Sequence, residues 1–178
     1  MSTSDSITTP TFKILGPDGN PVVVGSSGND IIELSGTSSS YLVNAGAGSD
    51  VLIYEVSKHL AGETSTTFNG GSGTDTVRLV FETTEAWLPF KDAIKTFYNF
   101  LLSLKTNASG EVSGNSKYTL VLESGTHTAT LTVSLTEVLQ VWVGGVEIVN
   151  SQIKLFDEAA PSVTITGLGG SDTTVSSQ

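Results

Sequence analysis

The chain has 178 residues and a formal net charge of −10 at pH 7, with only 8 Lys and Arg against 18 Asp and Glu. That balance argues against a nucleic-acid partner, whose phosphates demand a basic face, and against electrostatic attachment to an anionic membrane. Cysteine is absent and only two histidines occur, which removes disulfides, thiolate zinc and a His-rich site and leaves bound cations as the available staple.

The length suits one domain with a real core, read here as residues 11–166. Residues 1–10 are polar and read as a disordered leader; they have neither the basic start nor the apolar run of a classical signal peptide. No stretch approaches the roughly 18 consecutive apolar residues of a membrane span, so no membrane insertion is expected. Thr11–Leu15 reads as a short strand, and Gly16–Asn20 as a tight turn into Pro21–Val24.

From 25 to 80 the chain repeats one short grammar. Gly25-Ser-Ser-Gly-Asn-Asp30, Ala45-Gly-Ala-Gly-Ser-Asp50 and Gly70-Gly-Ser-Gly-Thr-Asp75 each precede an apolar stub. Small residues let the backbone bend sharply and turn carbonyl oxygens inward, and the aspartate adds a hard anionic oxygen. Calcium prefers six to eight such oxygens. Asp30 and Asp50 are 20 residues apart and Asp50 and Asp75 are 25 apart, near the roughly 18 of two nonapeptides in a roll. The spacing predicts three turns stacked on one edge, with two or more Ca²⁺ ions held between neighbours. The predicted ligands are the carboxylates of Asp30, Asp50 and Asp75 and the carbonyls of Ser26, Gly28, Gly46, Gly48, Gly71 and Gly73. The alternative is three ordinary Gly/Asp turns. A weaker copy, Gly167-Leu-Gly-Gly-Ser-Asp172, adds Asp172 as a further candidate, in a tail (167–178) that reads as a repeat fragment or the start of a next domain.

The strand stubs are Ile31–Leu34, Tyr41–Val43, Val51–Tyr54 and Val77–Phe81, with the intervening Gly36–Ser40 and His59–Ser65 read as turns. Phe90, Ile94, Phe97, Leu101 and Leu104 then form one stripe of an amphipathic helix at about 89–105, with Pro89 in its first turn and Asn107–Gly110 beyond its end. A strand block follows over 117–166: Lys117–Glu123, a hairpin at Ser124–His127, Thr128–Leu135 with one wet face, and Val138–Val143. Gly144-Gly145 marks a hairpin into Val146–Val149, and Ile153–Phe156 and Val163–Ile165 complete the set. The predicted class is mainly β, a sandwich or roll, with calcium turns along one edge and one helix laid across it.

Enzyme chemistry is not expected. There is no G-x-S-x-G, no H-E-x-x-H and no cysteine nucleophile. His59 and His127 sit in an apparent loop and a hairpin without an identifiable partner, and acidic pairs such as Glu82/Glu85 or Asp157-Glu158 suit solvated surface. Asn107-Ala-Ser109 formally matches a glycosylation acceptor, a triplet that arises easily by chance in a Ser/Thr-rich chain.

The nonapeptides resemble those of the RTX proteins, which Gram-negative bacteria export by one-step type I secretion. Broken copies followed by a helix and Thr-rich strands are similar to the peptide-binding domain near the end of large RTX adhesins. The resemblance implies a secreted, surface-exposed domain that captures a short peptide by its free C-terminus on a target cell; a monomeric isolated domain is expected because the sequence shows no coiled coil and no obvious sticky edge. Calcium-dependent adhesion and biofilm formation would follow. Two other readings stay open: a carbohydrate-binding module of the same adhesins, with Trp87, Tyr54 and Trp142 as candidate sugar platforms, and a calcium-stiffened structural or secretion module with no ligand of its own.

Overall fold

The computed structural model describes residues 14–15, 22–34, 39–114, 116–152 and 156. The chain passes back and forth between two sheets. Strands β2 (Val22–Val24), β4 (Ser40–Ala47), β6 (Ser65–Ser72) and β9 (His127–Ser134) lie in one; β3 (Ile31–Glu33), β5 (Val51–Glu55), β7 (Thr76–Phe81) and β10 (Val138–Val143) lie in the other. Neighbours along each of these runs pair in parallel, so four coils stack. Within the two sheets, among the described residues, antiparallel pairing is confined to the margins. There the two-residue β1 (Ile14–Leu15) joins β2, β8 (Lys117–Ser124) joins β9, and β11 (Val146–Asn150) joins β10. The architecture is a roll of mostly parallel sheets, not a sandwich of hairpins.

The parallel arrangement follows from the turns. Each Gly/Asp segment carries the chain across to the facing sheet rather than back beside itself. Every second side chain then points into the space between the sheets: Val43, Ala45, Phe68, Leu131 and Val133 from one side, and Ile32, Leu52, Tyr54, Val77, Leu79 and Val141 from the other, all nearly or wholly buried. The two hairpins read at Gly125-Thr126 and Gly144-Gly145 are present, with all three glycines at positive φ.

The helical content exceeds the sequence reading, making the class mixed α/β rather than mainly β. One helical segment spans 84–103: α2 (Thr84–Trp87), a 3₁₀ turn (Leu88–Phe90) containing Pro89, and α3 (Lys91–Ser103). Thr83 caps its start by accepting the N–H of Ala86 at 3.3 Å. The predicted stripe packs inward as expected; Phe90, Ile94, Phe97 and Leu101 are buried, and Phe97 stacks on Tyr118 of β8 at 5.0 Å. The unforeseen helix is α1 (Val56–Gly62), where Ser57–Leu60 reads as a loop and His59–Ser65 as a turn. Glu63, at φ 49°, ends it in a left-handed conformation. Strand β6, with the sequence Ser-Thr-Thr-Phe-Asn-Gly-Gly-Ser, likewise lies outside the expected strand stubs. Of Thr11–Leu15 only Ile14–Leu15 is described. The Gly16–Asn20 turn and the strand Val163–Ile165 lie outside the described residues, as does all of Ile153–Phe156 except Phe156.

Candidate metal centre

The three Gly/Asp turns connect β2 to β3, β4 to β5 and β6 to β7, and the sheet registers superpose them. Val24 pairs with Asn44 and Asn44 with Asn69 on entry; Ile31 pairs with Val51 and Val51 with Thr76 on exit. The unequal spacings are thereby explained. The five extra residues between Asp50 and Asp75 are absorbed by α1 at the opposite edge, leaving the turn edge in register.

Gly46, Gly48, Gly71 and Gly73 all have φ between 102° and 128°, where L side chains are strained. They also lie against the turn below. A methyl on Gly46 would overlap the carbonyl oxygen of Ser26, and one on Gly48 that of Gly28; Gly71 and Gly73 face the carbonyl oxygens of Gly46 and Gly48 in the same way. The carbonyl oxygens of Ser26, Gly28, Gly46 and Gly48 therefore lie against the glycines of the next turn, and that of Ser26 also accepts the N–H of Ala47 at 3.3 Å. Gly71 and Gly73 belong to the third turn, on which no further glycine turn stacks among the described residues.

The carboxylates form a ladder. The N–H of Asp30 donates to Asp50 Oδ1 at 2.8 Å, that of Asp50 to Asp75 Oδ1 at 2.9 Å, and that of Asp75 to Glu137 Oε2 at 2.7 Å. Glu137 was not anticipated from the sequence. It occupies the fourth turn, where Leu135-Thr136-Glu137 replaces the six-residue motif. Leu135 takes a positive φ of 50°, and its carbonyl stands against Gly70 as that of Ala45 stands against Gly25. Glu137 Oε1 also accepts the N–H of Val112 at 2.7 Å, tying the stretch after α3 to the ladder.

Asp30, Asp50 and Asp75 are 2%, 0% and 0% exposed. Asp30 Oδ2 accepts the N–H of Ser26. In contrast, Asp50 Oδ2 and Asp75 Oδ2 are buried with no hydrogen-bond partner. An unpaired buried carboxylate oxygen costs several kcal/mol unless it meets a cation or takes a proton. Burial, and then repulsion by Asp30, pushes the Asp50 carboxyl up against the pull of the Asp30 N–H. Burial pushes Asp75 up to about 7, with Asp50, Glu137 and Glu111 adding negative charge against the pull of the Asp50 N–H. Among the described residues no three His, Asp or Glu side chains gather around one point. Backbone carbonyls must therefore supply much of any coordination shell, and the donor set is all oxygen. These residues fit a hard divalent cation such as Ca²⁺.

The remaining candidates sort differently. Asp172 and the pair Asp157-Glu158 lie outside the described residues. His59 is wholly buried, stacked on Tyr54 at 3.7 Å, with Nδ1 2.9 Å from Thr64 Oγ1; burial lowers its pKa to about 4. His127 is exposed and 3.2 Å from Glu63. Trp87 and Tyr54 are buried, so neither offers a face to a sugar. Trp142 is partly buried, with the Arg78 guanidinium 4.8 Å above its ring.

Comparison with family models, curated proteins and solved structures found no match to this chain.

Proposed function

We propose that this chain is a calcium-dependent extracellular adhesion module that captures a short peptide by its C-terminus on a target cell. The observation that carries the calcium part is the pair of buried, unpartnered oxygens, Asp50 Oδ2 and Asp75 Oδ2, in a stack whose glycines face carbonyl oxygens. Asp30, Asp50 and Asp75 with the carbonyls of Ser26, Gly28, Gly46 and Gly48 would hold two or more ions. Bound calcium supplies the positive charge that these oxygens lack. Metal-binding free energy then becomes folding free energy, so the chain stays loose where calcium is scarce and closes outside the cell. The adhesive role and export by type I secretion rest on the resemblance of the nonapeptides to RTX adhesins. The carbohydrate alternative loses support from the burial of Trp87 and Tyr54.

Calorimetric titration with calcium tests the first part, and arrays of C-terminal peptides and glycans, run with calcium and with chelator, test the second. Peptide hits that vanish in chelator are expected. Glycan hits alone would move the function to lectin-like adhesion. Calcium-dependent folding with neither class bound would leave a structural module, and no calcium binding would overturn the metal centre.

A further inference from the structure

At the edge opposite the Gly/Asp turns, the ends of β7 and β8 meet α1, α2 and the 3₁₀ turn around a pocket of about 210 Å³. Val56 and Leu60 of α1, Phe81 of β7 and Phe90 of the 3₁₀ turn give it an apolar lining, and Glu82 and Glu85 add carboxylates. No lysine, arginine or histidine lines it. The nearby Lys58 is engaged by Glu55 at 2.6 Å and Glu33 at 3.7 Å. The N–H at the start of its own helix, and then the Thr83 hydroxyl, hold the Glu85 carboxyl below its usual range, so it is ionised at neutral pH. The volume is below the roughly 300 Å³ at which drug-sized sites begin and suits one bulky side chain.

We propose that this pocket takes an apolar side chain flanked by lysine or arginine in a peptide segment of a partner protein. Apolar lining buries the side chain, while Glu82 and Glu85 meet the flanking cations, and the charge of −10 draws a basic segment in. Charge argues against self-occupancy by the C-terminal segment, since residues 157–178 include Asp157, Glu158 and Asp172 and no Lys or Arg. The proposal is independent of the calcium turns, which lie at the other edge, and of any free C-terminus.

The test is an NMR titration of the ¹⁵N-labelled full chain in millimolar calcium and low salt with three end-blocked peptides: Ac-Gly-Lys-Phe-Lys-Gly-amide, its Lys-to-Glu counterpart and its Phe-to-Ser counterpart. The Lys/Phe peptide should shift the amides of Leu60, Phe81 and Phe90, and the other two should bind at least roughly fivefold more weakly. Glu82→Gln with Glu85→Gln should cost a similar factor, the sum of two exposed ion pairs. Equal affinity for the Lys and Glu peptides, or shifts confined to other surfaces, overturns the proposal; so does the absence of shifts. The comparison among peptides needs no variant, so it survives any folding defect. End-blocking keeps its failure separate from failure of the calcium or C-terminus reading.

Discussion

Replacing Asp75 by Asn should stabilise the calcium-free chain and remove much of its response to calcium. In the metal-free protein the Asp75 carboxyl titrates at about 7, against an ordinary value of 3.8. A group whose folded pKa is raised leaves the protein most stable below the unfolded value and withdraws that stability as pH climbs to the folded one. The gap of about three units amounts to about 4 kcal/mol lost by pH 8. Asparagine keeps an oxygen to accept the Asp50 N–H and carries no charge, but its NH₂ group takes the place of the unpartnered Oδ2. Leaving that group unsatisfied costs about 1–3 kcal/mol, for a net gain of about 1–3 kcal/mol at pH 8. Urea unfolding in chelator, of wild type and Asp75→Asn at pH 8 and pH 5, reads this directly. The variant should lead at pH 8 and lose that lead at pH 5, and millimolar calcium should raise wild type far more than the variant. A variant less stable than wild type in chelator at pH 8, or an undiminished calcium gain, would refute the assignment of charge strain to Asp75.

Three further outcomes are expected. With Asp75→Asn in chelator, His59 should withdraw about 3 kcal/mol as pH drops from 6.5 to 4, because burial holds it neutral down to about 4 while the unfolded chain takes up a proton, and the raised Asp50 carboxyl should offset part of that loss; the difference between this variant and the same variant with His59→Phe, in pH-dependent urea unfolding, isolates the His59 contribution. Asp50, the middle rung, should matter more than Asp172: Asp50→Ala should raise the calcium midpoint of thermal stability well above that of Asp172→Ala, and equal midpoints would sink the stacking scheme. Gly48→Ala should cost about 3 kcal/mol or more, since it combines a φ of 115° with a methyl 2.6 Å from the Gly28 carbonyl; denaturant midpoints against Gly110→Ala, where nothing lies within 4 Å of the added methyl, isolate the packing contribution.

The turn edge was legible in the sequence because its chemistry is local. Glycine at a required positive φ and aspartate at a fixed offset mark each turn wherever the rest of the chain goes. Strand β6 was not legible because its inward positions include Thr66 and Gly70 beside Phe68, so apolar alternation is lost. Its place comes from pairing with β4 and β9 on either side. Helix α1 has seven residues, too few for a periodic signal, and is held by tertiary burial of Val56 and His59. Glu137 escaped notice because its turn has no glycine. Its extra methylene lets it meet the Asp75 N–H from a three-residue turn, and only the 62-residue contact reveals it. The helix at 84–103 was foreseen in its stripe, but not in its start at Thr84, which depends on the Thr83 cap.

The two edges of the roll carry different burdens. Among the described residues the large insertions between successive coils, α1 in one and α2, α3 and β8 in another, leave and rejoin at the edge away from the aspartates, whose own turns differ only by the three residues that the Glu137 turn lacks. The aspartate edge acts as a fixed spine, and the other is a row of sockets into which segments of unequal size have been fitted without disturbing the step of the coil. Foreign sequence inserted at Gly125-Thr126 would enter through such a socket, which makes the roll a natural frame for displaying loops while its ladder keeps the spacing.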